Sequence, residues 1–172
     1  VNVPINKGYG YGILQGLEQA RGKILSWSHA DMQCDPLDIL EGNMLFKSDK
    51  NISFVKGVRY GRPFLDSVFS FFMGIFESLL LKKPLRDINA QPTMFRRELY
   101  ESFDSPPHDF SLDLYTYYLA RIKNYKVKRF PVRFGERAHG ESHWNVDWSS
   151  KKKFIKRTID YSFKLKKRLN LK

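Results

Sequence analysis

Ile13, Leu14, Leu17 and Ala20 recur at helical spacing behind a glycine-rich entry at 6–12 and stop at Gly22, which predicts a first helix. The apolar run Ile24-Leu25-Ser26-Trp27-Ser28 reads as a strand over 23–28. A polar loop follows it, and then a helix from about Pro36 to Phe46. Ile52 to Lys56 is a second strand, ending in Gly57-Val58-Arg59-Tyr60-Gly61-Arg62-Pro63. Further on come a short strand through Phe95, a helix starting near Arg96, a helix from Ser111 to Ile122 and a strand from Tyr125 to Phe134. Pro131 lacks an amide proton, which assigns that last strand to a sheet edge. A loop from Gly135 to Trp148 leads into a terminal helix over roughly 150–169. Helix and strand alternate without hairpin signals, so the expected fold class is α/β, a mostly parallel sheet flanked by helices.

Two segments stand apart from this pattern. Residues 64–81 are the most apolar of the chain, and on a helix Asp66, Ser67, Ser70, Gly74, Glu77 and Ser78 form one polar stripe. With two acids and eighteen residues the segment is short for a membrane span. The expectation is a core helix packed on the sheet, ahead of a helix dipping into a membrane interface. The terminal helix gathers Phe154, Ile155, Ile159, Tyr161, Phe163, Leu165 and Leu169 on one half and most of its lysines and arginines on the other. Two readings stand for it: a helix lying on an anionic bilayer, or one whose apolar side docks on the domain. Residues 1–148 are accordingly read as the body and 149–172 as a basic amphipathic helix.

Composition sharpens this picture. A chain of 172 residues is one domain with room for a real core, and 42% hydrophobic residues exclude disorder. The net charge of +12 is unevenly spread: residues 150–172 hold ten lysines and arginines against Asp160 alone, a net +9. Such a tail calls for a polyanionic partner, and no recognisable nucleic-acid-binding fold accompanies it. An anionic membrane surface is therefore expected, and no nucleic acid. The single cysteine, Cys34, permits no internal disulfide and suits a reducing compartment.

The chemistry concentrates in His29-Ala30-Asp31-Met32-Gln33-Cys34-Asp35-Pro36, just past the first strand, where α/β sheets keep their ligands. Asp31 and Gln33 offer hard oxygen atoms suited to Mg²⁺ or Mn²⁺ on a diphosphate. The plainer alternative is an ordinary strand–turn–helix in which Asp31 or Asp35 caps the next helix. Gly8-Tyr9-Gly10-Tyr11-Gly12 is no dinucleotide fingerprint, because no strand precedes it. His139 and His143 lie four apart, but Gly140 and the loop setting argue against a zinc helix. Cys34 has no histidine–acid neighbourhood of the kind a catalytic thiol needs.

Taken in order, these elements resemble family 2 glycosyltransferases of the GT-A fold, in the branch of polyprenyl-phosphate and dolichyl-phosphate sugar transferases. The resemblance is carried by Asn6-Lys7-Gly8-Tyr9-Gly10 with Gly16 and Ala20-Arg21-Gly22, by His29-Ala30-Asp31-Met32-Gln33, and by Phe54-Val55-Lys56-Gly57-Val58-Arg59-Tyr60. It continues through Asp87 to Arg97 and Pro131-Val132-Arg133-Phe134 with Arg137, Gly140 and Ser142. It covers nearly the whole chain, and two departures stand out. Nothing matches the family's opening strand–helix–strand unit for the nucleotide, so the sequence reads as a fragment lacking that part. The family's Asp-Ala-Asp metal motif begins here with His29, which has three roles open to it: a nitrogen ligand better suited to Mn²⁺ than Mg²⁺, a hydrogen bond to phosphate, or space filling.

The resemblance implies an inverting, metal-dependent transfer of sugar from a nucleotide-diphosphate donor. Asp31 and Gln33 match metal-binding positions. Arg59, Arg133 and Arg137, with Ser142, match acceptor-phosphate contacts, where a guanidinium fork suits a phosphate. Asp87, Asn89 and Gln91 would line the sugar and acceptor pocket, and Asp113 matches the general base that a hydroxyl acceptor needs. The expected acceptor is a polyprenyl phosphate at the cytoplasmic face of the membrane. A hydroxyl of lipopolysaccharide or another glycan is the first alternative, and a non-catalytic basic membrane-binding module the second.

Overall fold

The computed structural model describes residues 1–135 and 148–170. The elements run α1 (Tyr9–Gln19), β1 (Ile24–Trp27), α2 (Asp38–Ser48), β2 (Ile52–Tyr60), α3 (Phe64–Leu81), β3 (Thr93–Arg96), α4 (Arg97–Glu101), α5 (Ser111–Ile122), β4 (Lys126–Arg133) and α6 (Trp148–Asn170). The four strands form one sheet in the order β1-β3-β2-β4.

The α/β class holds, but the strand directions correct the expectation of a mostly parallel sheet. β3 runs antiparallel to both β1 and β2, and only β2 and β4 pair in parallel. The chain leaves the carboxyl end of β2, passes through α3 and the 82–92 segment, and re-enters the sheet at that same end. A strand entered there has to run backwards. β1, β2 and β4 therefore share one direction, and their carboxyl ends meet the start of β3.

Strand register sorts the core into two layers. Leu25 and Phe54 both face Phe95 across the ladder, and Val55 faces Met94. Leu25, Phe54 and Phe95 join Leu112, Tyr115, Tyr117 and Leu165 on one side, beneath α5 and α6. Val55 and Met94 join Phe46, Phe130 and Val132 on the other, beneath α2. α5 is apolar around most of its girth and is enclosed accordingly, with residues 111–120 all buried. Pro131 lies exposed on the edge strand β4. On β2, Gly57, which pairs with Phe130, lets the 91–92 backbone come close: a Cβ there would collide with the Gln91 carbonyl oxygen, and the Gly57 amide donates to Pro92 O at 3.1 Å.

α3 overturns the expectation of a core helix, because its polar stripe faces inward. Ser70 accepts from the Arg62 guanidinium at 2.9 Å, and Ser78 bridges the backbone of Leu85 at 2.8 Å. Glu77 is wholly buried against Ser162 of α6. The outer arc exposes Phe64, Leu65, Phe71, Phe72 and Leu79, each by more than 60%. α6 docks its inner half through Leu165 and Ser162, while Arg168 donates to the Ser105 carbonyl at 3.0 Å and Arg157 pairs with Asp109 at 3.5 Å.

Candidate active site

Three co-directed strands ending together bring their loops to one rim, and most of the chemistry-bearing residues stand there. Beneath the rim lies a buried polar knot centred on Asp113 of α5, which is 1% exposed. Its carboxylate accepts from the Tyr9 hydroxyl at 2.9 Å and from Trp27 Nε1 at 3.3 Å. Lys56 Nζ and Thr93 Oγ1 each lie 3.4 Å from Oδ1. Lys56 is fully buried and donates to Thr93 Oγ1 at 2.6 Å. Burial brings the Lys56 ammonium down to about 8, against the pull of Asp113. Burial and the Asp113 charge together push the Tyr9 phenol well above its ordinary range. Gln91 donates its amide to the Tyr9 hydroxyl, and its Oε1 is buried without a partner among the described residues.

A second cluster caps β2. Arg59 grips Asp87 with its backbone amide and its guanidinium Nε, both at 2.9 Å, and with Nη2. Arg62 stands 3.8 Å away. Burial raises the Asp87 carboxyl, but the charge and hydrogen bonds of Arg59 outweigh it and hold the group below the usual carboxylate range. Asp87 itself sits at φ 43, a left-handed conformation that these bonds hold in place.

The acidic loop after β1 is strapped to the end of β4. Gln33 Nε2 donates to Gly135 O at 3.1 Å, and the Gly135 amide returns a bond to Gln33 O at 2.8 Å. Asp31 Oδ1 accepts from the Gln33 amide at 3.2 Å, whereas Asp35 accepts from Leu37 N at 2.8 Å and shapes the entry to α2. Neither caps α2, whose N-cap Leu37 carries no side-chain cap bond; Asp35 closes the turn before it. His29 meets the Phe134 ring edge-on at 5.5 Å, and the Arg59 guanidinium lies 5.3 Å from the same ring. Burial lowers the His29 pKa against the opposing pull of Asp31 and Asp113, leaving a neutral imidazole at pH 7. Its Nε2 is buried with no hydrogen-bond partner among the described residues.

Of the residues expected from sequence, His29, Asp31, Gln33, Arg59, Asp87, Gln91 and Asp113 come to this end of the sheet. Asn89 lines a neighbouring cavity together with Arg59 and Glu77. Arg133 is exposed at the end of β4, and Arg137 and Ser142 lie outside the described residues. Cys34 is buried, and burial raises its thiol to about 11, an unreactive state. Sequence reasoning missed Tyr9, Trp27, Lys56 and Thr93 as site members. One signal was available for Lys56: a lysine inside the apolar strand run Ile52–Tyr60 needs an anionic partner.

The described residues contain no group of three or more His, Cys, Asp or Glu able to hold a metal unaided. Asp31 and His29 supply a carboxylate and an imidazole in the loop after β1, and a divalent ion held by them would take its remaining ligands from a bound phosphate.

No protein-family model matches the chain. No curated protein matches it at the level of sequence. Solved structures do share its fold. Glucosyl-3-phosphoglycerate synthase from Mycobacterium tuberculosis, in complex with Mn²⁺, uridine diphosphate and phosphoglyceric acid, superposes with a TM-score of 0.70 at 17% identity, over 95% of this chain and 56% of that one. The same enzyme with Mn²⁺, UDP-glucose and phosphoglyceric acid gives 0.70 at 16% identity, over 95% and 57%. Its complex with Mn²⁺, UDP-glucose and glycerol 3-phosphate gives 0.64 at 17%, over 91% and 54%. The chain spans about half the length of these structures. The fold is a partial GT-A fold.

Proposed function

We propose that this chain belongs to a glycosyltransferase that moves a sugar from a nucleotide diphosphate to a phosphorylated acceptor, and that the acceptor is a polyprenyl phosphate met at the cytoplasmic face of a membrane. The observation that carries the reading is the rim itself. Asp31 and a His29 nitrogen with no partner among the described residues stand at the carboxyl end of β1, beside Arg59 and Asp87 at the end of β2. Structures of the same fold hold Mn²⁺, a uridine nucleotide and a phosphorylated acceptor.

In this reading Asp31 and His29 hold a divalent ion, with the Gln33 backbone and side chain fixing the loop that presents them. Such an ion supplies positive charge to the departing diphosphate. Asp87 fixes the Arg59 fork so that its charge meets the acceptor phosphate without rearrangement. Arg133, Asn89 and Gln91 contribute to the walls of the same pocket. A phosphate acceptor arrives as an anion and needs no general base. Asp113, committed to four buried donors, then acts as a positioning residue that holds Tyr9, Trp27 and Lys56 under the rim. The acceptor oxygen attacks the anomeric carbon opposite the diphosphate, which inverts its configuration.

The test is sugar transfer by membranes carrying the full-length protein, offered labelled UDP- and GDP-sugars with Mn²⁺. Polyprenyl phosphate is the acceptor in one arm and phosphoglyceric acid in the other. We expect label in the lipid with wild type and a loss of at least 100-fold in Asp31→Ala, the scale of removing one strong electrostatic contact. Label only in phosphoglyceric acid would overturn the lipid acceptor but keep the transferase. No label in either arm from folded protein would overturn both.

A further inference from the structure

We propose that α3 and α6 form a platform that lies in the interface of an anionic bilayer, with α3 parallel to the membrane plane and its phenylalanine arc among the acyl chains. The inference deepens the proposed function and rests on it for its meaning, since an enzyme using a lipid phosphate has to meet it at a bilayer.

The first observation is the inversion of α3. A helix docked on a soluble core turns its apolar side inward, and α3 does the reverse. Ser70, Glu77 and Ser78 are engaged with Arg62, Ser162 and Leu85, while Phe64, Leu65, Phe71, Phe72 and Leu79 face outward. Only 17% of this 18-residue window is buried, although it is long and apolar enough to cross a membrane. A contiguous exposed apolar patch of this kind marks an interaction surface. It does not mark a span, because the polar stripe stays bonded to the body along the length of the helix. A helix so anchored lies along the surface of a bilayer.

The second observation is charge. α6 packs beside α3 through Glu77 and Ser162. Arg157 and Arg168 reach the 105–109 loop on one flank of α6. α6 also exposes Lys152, Lys156, Phe163 and Lys167, and Asp160 is the one acid in its sequence. Lys82 closes the end of α3 and is exposed as well. Ammonium groups on α6 and at the end of α3, together with the apolar arc, match the layered chemistry of an anionic membrane, phosphate above and hydrocarbon below. A purely apolar protein face would leave these lysines without counter-charge. That complementarity selects the bilayer as the occupant.

The experiment is sedimentation of the full-length protein with vesicles of phosphatidylcholine alone and of phosphatidylcholine with 30% phosphatidylglycerol. Wild type is expected on the anionic vesicles, with binding weakened as salt rises. Phe71→Ser/Phe72→Ser is expected to bind at least tenfold more weakly, and Lys152→Glu/Lys156→Glu to lose the preference for anionic lipid. Circular dichroism controls for folding, and both pairs lie on the exposed surface. Unchanged binding in the phenylalanine variant would overturn the proposal. So would a wild-type dimer that the variant dissolves without any effect on vesicles, since the face would then be a contact between copies. Transfer to a water-soluble phosphorylated acceptor separates the two readings. If vesicles bind and no sugar moves, the transferase fails and the platform stands.

Discussion

At Asp113 four side chains converge from four places in the chain: Tyr9 from α1, Trp27 from β1, Lys56 from β2 and Thr93 from β3. The ammonium of Lys56 has no access to water, so the carboxylate beside it is what makes its charge tolerable. Asp113→Asn leaves that charge without its counter-ion and should cost about 3–5 kcal/mol, the usual penalty for breaking a buried pair from one side. Adding Lys56→Met should recover part of the loss, because the double variant buries no unpaired charge. Denaturant unfolding of the three proteins measures both effects. Wild-type stability in Asp113→Asn, joined to lost sugar transfer, would instead make Asp113 a general base. The pairings of this knot were not legible locally, since its four donors lie 20 to 104 residues from Asp113. The His29–Asp31–Gln33 loop was legible because strand, acid and turn residues lie within a single stretch.

At the scale of elements, α3 shows how a correct pattern can leave its orientation undecided. Helical periodicity located the polar stripe through Ser70, Gly74, Glu77 and Ser78. Which way the stripe faces depends on partners supplied by Leu85 and by α6, far along the chain. Glu77 makes this joint sensitive to protons. Its carboxyl is wholly buried, one oxygen has no partner among the described residues, and burial raises it from 4.5 to about 7 against the bond from Ser162. Ser162 Oγ lies 2.6 Å from Glu77 and 2.8 Å from the Thr158 carbonyl. With one hydroxyl proton it serves both contacts only when Glu77 donates. Below about pH 4.5 folded and unfolded chains both carry the proton; above about pH 7 the folded chain buries a charge that the unfolded chain exposes to water. Stability due to this group therefore falls as pH rises between those values, by at most about 3 kcal/mol. Glu77→Gln should match wild type near pH 5 and exceed it at pH 8, measured by urea midpoints. A variant less stable than wild type at pH 8 would mean that the joint depends on a charged carboxylate.

For the molecule as a whole, the alternation of elements pointed to the α/β class and Pro131 to the edge position of β4, while the reversal of β3 stayed hidden. Thr93–Arg96 is buried on both faces, and such a strand reads the same in either direction. Its reversal has a functional consequence, because it delivers Gln91 and Thr93 to the rim where β1, β2 and β4 end. A ligand there touches four separate segments, held together in the described residues by the Gln33–Gly135 strap, the Arg59–Asp87 grip and the Asp113 knot. Ligand binding to such a rim stabilises the entire fold, by about 2.7 kcal/mol at a hundred times the dissociation constant. On the proposed reading, Mn²⁺ with uridine diphosphate should raise the unfolding temperature of the full-length protein by several degrees, and neither alone should do as much. Asp31 is half-buried and its carboxylate accepts from the Gln33 amide in the loop, outside the buried core, so Asp31→Ala should stay folded without ligand and lose the shift with it. A wild-type protein that ignores the pair would stand as a basic module on a transferase fold. A shift that survives Asp31→Ala would move the metal to other ligands.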